Sequence, residues 1–347
     1  MTSLTSFAGT RSAFCRSPTK RPCRVGSRRH PWIAPSSGHS GFVLAIVAPG
    51  QGAQSPGMLL PWLELPGVAE QVDAFSQASG VDIARHGTTS DAEEIRDTAV
   101  AQPLIVSTSL IAFRQLLAGR AATDVVDVAA GHSVGEFAAA AVAGVFEDAS
   151  AVSLVSARAS FMALAAAENP SGMTAILGGD PDEVLAAITA AGAWPANLNG
   201  AGQVVAAGTH EALAALAANP PAKARVIPLQ VAGAFHTPLM DSAANAFASV
   251  AAEWSANDPS VALLSNADGS ALSSQQPGAH GFGSKSDVLQ RLASQIVSPV
   301  RWDLCQEQFA TLGVTAIIEL APGGVLAGLA RRTLPDVARV AIKSPDD

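Results

Sequence analysis

The sequence predicts an α/β protein in which a smaller domain is inserted into a larger one. Short apolar runs that are typical of buried strands occur at residues 43–47 and 316–320, and each is followed by a glycine-containing turn. Residues 173–231 break this rhythm with a closer spacing of strands and helices. The chain has 347 residues, 48% of them hydrophobic, which is enough to bury one large core or two unequal ones.

The larger domain is predicted to alternate buried strands with helices. Its first strand runs into Pro49-Gly50-Gln51-Gly52, where the backbone can approach a ligand closely. We expect apolar helices over residues 101–118 and 148–167, the second with Asp148 as its N-cap. The other predicted elements are strands at 125–129, 261–266 and 316–320, helices at 137–142 and 288–297, and a Ser- and Gly-rich mobile surface loop at 270–286.

The smaller domain is predicted from the order of its elements. Its strands are expected at 173–177, 194–199, 203–207 and 225–231, and its helices at 180–191 and 209–219. This βαββαβ order is that of the ferredoxin-like split unit. We therefore place the smaller domain at residues 169–232 and assign residues 42–168 and 233–347 to the larger one.

Positive charge is concentrated in the first 40 residues, which carry seven Lys or Arg and no Asp or Glu. The rest of the chain has 14 basic and 29 acidic residues, a net charge of −15. Nucleic acid is therefore not an expected partner, because phosphate binding needs a basic face. We expect residues 1–41 to be a basic extension, disordered or not native, rather than a targeting peptide.

The cysteines and the apolar segments indicate the cellular compartment in which the protein is expected. Cys15 and Cys23 lie in the basic extension and Cys305 is far downstream, so we expect neither a disulfide framework nor a metal site. The longest apolar run, residues 42–48, is too short to cross a membrane. A cytoplasmic protein with no membrane association is the simplest expectation.

The segment Gly131-His132-Ser133-Val134-Gly135 lies between a predicted strand and a predicted helix. Gly131 and Gly135 have no Cβ, so the chain can turn sharply and hold the Ser133 hydroxyl exposed at the apex. The first N–H groups of the following helix have no intrahelical partner, which leaves the N–H of Val134 available to an oxyanion. The pentapeptide is typical of a nucleophile elbow, although an ordinary glycine-rich turn fits it equally well.

Two further polar residues stand in apolar surroundings. Arg158 lies within the predicted helix 148–167, where it can either extend to solvent or point into a pocket and bind a carboxylate through two parallel hydrogen bonds. His236 follows Phe235 at a loop-to-helix junction, where it can be either a satisfied core residue or a side chain presented to a cleft. The residues alone leave both alternatives open.

Several segments stand in a fixed order along residues 42–347. They are Pro49-Gly50-Gln51-Gly52, Gln102-Pro103, Gly131-His132-Ser133-Val134-Gly135-Glu136, Arg158 with Met162, Asn197-Leu198-Asn199 with Gln203, Phe235-His236, Gln295 with Pro299-Val300-Arg301-Trp302, and Pro322-Gly323. Together they resemble the malonyl-CoA:acyl carrier protein transacylases, the loading acyltransferases of fatty acid and polyketide synthesis. The resemblance implies an α/β-hydrolase-like catalytic domain with a parallel central sheet, an inserted ferredoxin-like domain and an active site in the cleft between them.

The resemblance also implies roles for individual residues. Ser133 resembles the nucleophile and His236 its general base, and no acidic third member is expected because a backbone carbonyl at Gln295 orients the histidine. The backbone N–H groups of Gln51 and Val134 match the family's oxyanion hole. The expected substrate-binding residues are Arg158, which matches the partner of the malonyl carboxylate, together with Met162, Asn199, Phe235 and Gln295.

The activity that the resemblance implies is transfer of a malonyl group from malonyl-CoA to the phosphopantetheine thiol of an acyl carrier protein. An acyl-serine intermediate gives ping-pong kinetics, and we expect no metal or redox cofactor and a monomeric enzyme. Phe235 beside His236 also resembles the malonyl-type signature of related polyketide acyltransferases, which implies a preference for malonyl over methylmalonyl groups because a bulky aromatic ring restricts the space for an α-methyl substituent. Whether the carrier serves fatty acid or polyketide synthesis is left open.

Three alternatives remain at this stage. A serine thioesterase or esterase could use the same elbow, but it has no need of a buried arginine. An acyltransferase for another acyl-CoA, such as methylmalonyl-CoA, differs only in its pocket. A docking subunit without turnover could keep the fold alone, yet it would not need Ser133, His236 and Arg158 together.

Overall fold

The structure is a computed structural model that describes residues 41–273 and 283–347. The expected basic extension up to residue 40 and the central part of the expected mobile loop, residues 274–282, lie outside the described residues. The described chain is a mixed α/β fold with two sheets, as the sequence predicts.

The described strands and helices have the following bounds. The strands are β1 (Leu44–Ala48), β2 (Val128–Gly131), β3 (Ser171–Gly178), β4 (Trp194–Gly200), β5 (Gln203–Thr209), β6 (Ala224–Pro228), β7 (Ala262–Leu264), β8 (Ala271–Leu272), β9 (Val300–Arg301), β10 (Ala316–Glu319) and β11 (Ala338–Ala341). The helices are α1 (Val68–Ser79), α2 (Ile83–Thr88), α3 (Thr98–Leu117), α4 (Gly135–Val142), α5 (Asp148–Glu168), α6 (Pro181–Ala190), α7 (His210–Ala218), α8 (Asp241–Ala252), α9 (Lys285–Ser294), α10 (Trp302–Leu312) and α11 (Val325–Thr333).

The larger sheet has the strand order β11-β10-β1-β2-β7-β8. Its first five strands are parallel, and all five residues of β1 are buried because the strand is covered on both faces. The expectation of a parallel sheet is wrong for the edge strand β8, which runs antiparallel to β7. A tight turn reverses the chain there, with hydrogen bonds that join the N–H of Ser265 to Ser270 O and the N–H of Gly269 to Ser265 O. This strand lies within the segment predicted as a loop.

The second sheet has the order β6-β3-β5-β4-β9. Its strands β3 to β6 come from one continuous stretch of chain in the order β3-α6-β4-β5-α7-β6, and neighbours among them pair antiparallel. The short strand β9 pairs parallel with β4 and comes from much later in the chain. The sheet is therefore completed by a segment that lies outside the predicted limits 169–232.

Helix α3 is buried along most of its length and forms the centre of the larger core. By length and composition α3 and α5 are each apolar enough to cross a membrane, although neither is a continuous apolar run, and the expected lack of membrane association stays a prediction. The apolarity of α3 has another physical reason, because 78% of its most apolar window is buried inside the protein.

Several boundaries differ from the predicted ones. Asp148 is the first residue of α5 rather than its N-cap, and its carboxylate pairs with Arg114 instead. Strand β6 ends at Pro228, three residues before its predicted end. The predicted helix 288–297 begins earlier, at Lys285, because Ser284 caps it by accepting from the N–H of Asp287. Its last turn is a separate 3₁₀ helix, Gln295–Val297.

We expect Gly135→Ala to destabilise the protein because there is no room for a methyl group. A Cβ at Gly135 would lie 2.2 Å from Ala48 O, which belongs to the backbone of a buried strand and cannot move aside. Urea unfolding should show a loss of about 2 kcal/mol or more. Gly328→Ala in α11 is the matched control, because its Cβ would meet nothing within 4 Å and should stabilise the helix by up to ~1 kcal/mol. Equal urea midpoints for Gly135→Ala and Gly328→Ala would contradict the expected destabilisation by Gly135→Ala.

Candidate active site

Ser133 stands at a sharp turn between β2 and α4. Its φ of 53° lies in the left-handed region, which is uncommon for residues other than glycine. The turn is possible because Gly131 has no Cβ. A Cβ at this position would lie 2.0 Å from the backbone carbonyl carbon of Gly135. The backbone strain and the two close glycines together hold the Ser133 hydroxyl at the carboxyl edge of the larger sheet.

His236 lies beside Ser133 although 103 residues separate them in the chain. Its Nε2 is 2.8 Å from Ser133 Oγ, and its Nδ1 is 2.7 Å from the backbone O of Gln295. Because a carbonyl can only accept, the proton of the neutral ring must lie on Nδ1, which leaves Nε2 free to accept the hydroxyl proton. The arrangement can therefore remove a proton from Ser133.

The surroundings of His236 keep its imidazole neutral. The pKa of His236 is lowered to about 3, mainly by burial and in addition by the positive charge of Arg158. The hydrogen bond to Gln295 O acts in the opposite direction but is the smaller effect. At neutral pH the ring is therefore in the form that can act as a base.

Gln51 and Val134 line the same cleft as Ser133, and each carries a backbone N–H group. The loop after β1 lies against the loop after β2, since a Cβ at Gly50 would be 2.9 Å from His132 O. Within residues 41–273 and 283–347, the N–H groups of Gln51 and Val134 have no hydrogen-bond partner. The N–H of Ser133 itself is occupied, because it donates to Asn266 Oδ1 at 2.8 Å. Of these three N–H groups, those of Gln51 and Val134 therefore remain available as donors.

Arg158 is buried in the same cleft, with 1% of its surface exposed, so the alternative that it extends to solvent is wrong. Its Nη1 donates to Gln102 Oε1 at 2.6 Å and its Nη2 to Gln295 Oε1 at 2.8 Å. The guanidinium also lies 5.7 Å from the centre of the Phe137 ring. Burial lowers the pKa of Arg158 to about 10, so the side chain stays charged at neutral pH.

The buried Nε of Arg158 has no hydrogen-bond partner among the described residues. An arginine side chain has five N–H donors, and two amide oxygens occupy two of them. The side chain is thus a buried cation with unused donors in the same cleft as the Ser133–His236 pair, a setting suited to an anionic group of a ligand.

The cleft wall includes most of the expected site residues. It is lined by Gln51, Gln102, His132, Ser133, Val134, Arg158, Met162, Met173, Asn197, Val205, Leu229, Val231, Phe235 and His236. Two expected substrate contacts, Asn199 and Gln295, lie behind this wall. Asn199 Oδ1 is 2.9 Å from His132 Nε2, so it supports the elbow from behind. Strands β3 and β5 of the second sheet contribute the apolar side chains of Met173 and Val205 to the wall.

Sequence reasoning missed Asn266, which follows β7 and supports the turn at Ser133. Its Oδ1 accepts from the N–H of Ser133, and its Nδ2 donates to Gly131 O at 2.8 Å. It also missed Glu136, whose Oε1 accepts from the N–H of Asn266 at 2.6 Å. The available signal was a polar residue directly after a buried parallel strand, where the strand ends share one edge of the sheet.

Metal-ligating side chains do not cluster in the part of the chain that the structure describes. No group of three or more His, Cys, Asp or Glu side chains there could hold a metal ion. Cys305 is a free and buried thiol, and burial raises its pKa well above the usual range.

Comparison with known proteins defines the class. Residues 45–343 match the family model described as the acyl transferase domain. The chain belongs to this acyltransferase family.

Individual relatives carry more specific names. A malonyl CoA-acyl carrier protein transacylase of Mycobacterium tuberculosis is 49% identical over 310 residues, covering 88% of this chain and 98% of the relative. One of Escherichia coli is 34% identical, covering 87% and 96%. The crystal structure of MCAT from M. tuberculosis has a TM-score of 0.82 at 50% identity and covers 88% of this chain and 98% of that one. A type II polyketide synthase acyl-carrier protein in complex with its malonyl-transacylase has a TM-score of 0.78 at 29% identity, covering 87% and 96%.

We expect the reactivity of Ser133 to be independent of pH between 7 and 5. Because the pKa of His236 is lowered to about 3, its base form persists across this range. Labelling by phenylmethylsulfonyl fluoride, followed by mass spectrometry, should give a constant rate. A histidine with the ordinary pKa of about 6.5 would slow it by about 25-fold. His236→Ala should lower the rate about 100-fold or more at every pH. A midpoint near pH 6.5 in the unmodified chain would refute the expectation.

Proposed function

We propose that the protein transfers a malonyl group from malonyl-CoA to the phosphopantetheine thiol of an acyl carrier protein, through an acyl-enzyme on Ser133. The observation that carries the proposal is a buried guanidinium, Arg158, in the same cleft as the hydrogen-bonded pair Ser133 and His236. Such a site accepts an acyl group that itself bears a carboxylate. The names of the relatives agree with this substrate and this acceptor.

In the first half-reaction the malonyl carboxylate pairs with the unused donors of Arg158. Nε2 of His236 takes the proton of Ser133 Oγ, and the oxygen attacks the thioester carbonyl carbon. The N–H groups of Gln51 and Val134 donate to the oxyanion of the tetrahedral intermediate. The C–S bond then breaks, and the leaving coenzyme A thiolate takes the proton back from His236.

In the second half-reaction the carrier's phosphopantetheine thiol enters the same cleft. It gives its proton to His236 Nε2 and its sulfur attacks the acyl-serine carbonyl carbon. The C–O bond to Ser133 breaks, and the serine oxygen regains the proton. One site serves both halves, which gives ping-pong kinetics. The electron balance requires no redox cofactor, and we propose a monomer that acts in the cytoplasm without a metal.

The other residues of the cleft support roles in binding. Phe235 is buried and lines the wall, which favours malonyl over methylmalonyl groups by restricting space. Met162 lines it too, with its Sδ 3.5 Å from the amide nitrogen of Gln102. We assign Asn199 and Gln295 to positioning, since their side chains contact His132 and Arg158 from behind the cleft.

We also propose an α/β-hydrolase-like catalytic domain, residues 42–168 and 233–347, with a ferredoxin-like domain inserted at 169–232. The order β6-β3-β5-β4 with α6 and α7 as connections supports the second assignment. The turn from β2 through Ser133 into α4 supports the first. The active site would then lie between the two, since the loops after β1 and β2 and the strands β3, β4 and β5 of the second sheet all line the cleft.

We expect Arg158→Ala to change which acyl group the enzyme accepts. Loss of a charge-assisted pair in a desolvated site costs about 2–5 kcal/mol, so kcat/KM for malonyl-CoA should fall by roughly 100-fold or more. Transfer from uncharged acetyl-CoA should be retained or rise. Both are measured as acylated carrier protein by mass spectrometry.

The control for Arg158→Ala is Arg120→Ala, because the Arg120 guanidinium donates to the nearby backbone carbonyls Leu116 O and Leu117 O.

The Ser133→Ala variant should not become malonylated by malonyl-CoA. An unchanged preference for malonyl-CoA in Arg158→Ala would refute the proposed substrate. Release of malonate to water at a rate equal to carrier acylation would instead favour the thioesterase.

A further inference from the structure

Glu136 is a buried acidic residue that the transfer chemistry does not use. It lies in the first turn of α4 with 5% of its surface exposed, and it does not line the cleft. One carboxylate oxygen accepts from the N–H of Asn266, and the other accepts from Nε2 of Gln295 in a short hydrogen bond. Burial of a carboxylate destabilises the folded protein unless hydrogen-bond partners compensate for the lost hydration.

Gln295 connects Glu136 with the cleft. Its Nε2 faces Glu136 and also donates to Ser133 O and to Asn266 Oδ1, both at 3.2 Å. Its Oε1 accepts from Arg158 Nη2 at 2.8 Å. A single amide group therefore lies between a buried carboxylate and the buried guanidinium.

We propose that Glu136 is a positioning residue that fixes the orientation of the Gln295 amide and, through it, the Arg158 guanidinium, so that Glu136 sets the enzyme's preference for carboxylated acyl groups. This inference rests on the proposed malonyl transfer. Glu136 acts without touching the substrate.

The hydrogen-bonding capacity of the three side chains gives the reason. A guanidinium can only donate, so the oxygen of the Gln295 amide must face Arg158. An ionised carboxylate can only accept, so the nitrogen of the same amide must face Glu136. Arg158 and Glu136 therefore require the same orientation of the Gln295 amide, which holds the Arg158 guanidinium in one position at the wall of the cleft.

With a neutral amide at position 136, residues 136 and 158 no longer require the same orientation of the Gln295 amide. In Glu136→Gln the amide oxygen is taken by the N–H of Asn266, which can only donate, so the new NH₂ group faces Gln295. Whichever way Gln295 turns, two donors then meet, either at residue 136 or at Arg158. The substitution conserves the shape of the side chain and changes only this pattern of donors and acceptors.

The test compares kcat/KM for malonyl-CoA with that for acetyl-CoA in the full chain at pH 9. Burial raises the pKa of Glu136 to about 8, so the carboxyl is ionised at that pH, while Arg158 is still charged. Glu136→Gln should lower the malonyl-to-acetyl ratio about 10- to 100-fold, the effect of one hydrogen bond to a charged group. A merely structural role would lower both values together and leave the ratio unchanged.

Glu319→Gln is the matched control. Glu319 is also fully buried, and it accepts from the backbone N–H groups of Gly324, Leu326 and Ala327 at the start of α11. The variant should lose stability and keep the ratio. In an Arg158→Ala background, Glu136→Gln should no longer change the ratio, because the group that it positions is absent.

The unmodified chain gives a second test that does not depend on the folding of a variant. Protonation of Glu136 turns its acceptor oxygen into a donor, so the ratio should fall severalfold from pH 9 to pH 7. The charged or titratable groups that act on Glu136 from the packed helices are Arg158 of α5, Arg291 of α9 and Cys305 of α10. Of these, the two arginines stay protonated across this range.

The outcomes separate this inference from the proposed function. If the unmodified chain does not prefer malonyl-CoA, the proposed function fails. If it does, and if Glu136→Gln keeps the ratio within about twofold, the positioning role is overturned and malonyl transfer stands. A fall of the ratio in Glu136→Gln that persists in the Arg158→Ala background would also overturn it.

Discussion

The left-handed backbone of Ser133 is the constraint on which the rest of the site depends. A residue with a Cβ adopts a φ of 53° only if its surroundings hold it there. Three elements do so. Gly131 and Gly135 allow the strand and the helix to approach, and Asn266 accepts from the N–H of Ser133 while donating to Gly131 O. The reactive hydroxyl is therefore positioned by the end of a neighbouring strand as well as by its own turn.

Buried charge is the second organising feature. Arg158 and Glu136 are both buried, and isolated charges in such places are strongly unfavourable. They do not meet directly, because the Gln295 amide lies between them and satisfies both. The same residue offers its backbone O to His236. One 3₁₀ turn thus supports both the His236 ring and the Arg158 guanidinium.

The site collects residues from segments that are far apart in the chain. The loops after β1 and β2 bring Gln51 and Ser133 to one edge of the larger sheet, as parallel strands require. His236 arrives only after the chain has completed four strands of the second sheet, and β9 later pairs with that sheet. Strands β3, β4 and β5 of the second sheet line the same cleft as Ser133, so this later stretch of chain forms part of the wall of the site.

The sequence by itself determined the alternation of strands and helices, the βαββαβ order and the turn around Ser133, since glycine positions and apolar periodicity act over a few residues. Only the tertiary structure decided that Arg158 is buried rather than exposed, that β8 runs antiparallel and that β9 joins the second sheet. The contacts of Asn266, Glu136 and Gln295 also belong to this second group. Some of these contacts join residues more than 100 positions apart, and others depend on which atom of an amide group faces a neighbour. A local sequence pattern specifies neither the long-range contact nor the orientation of the amide.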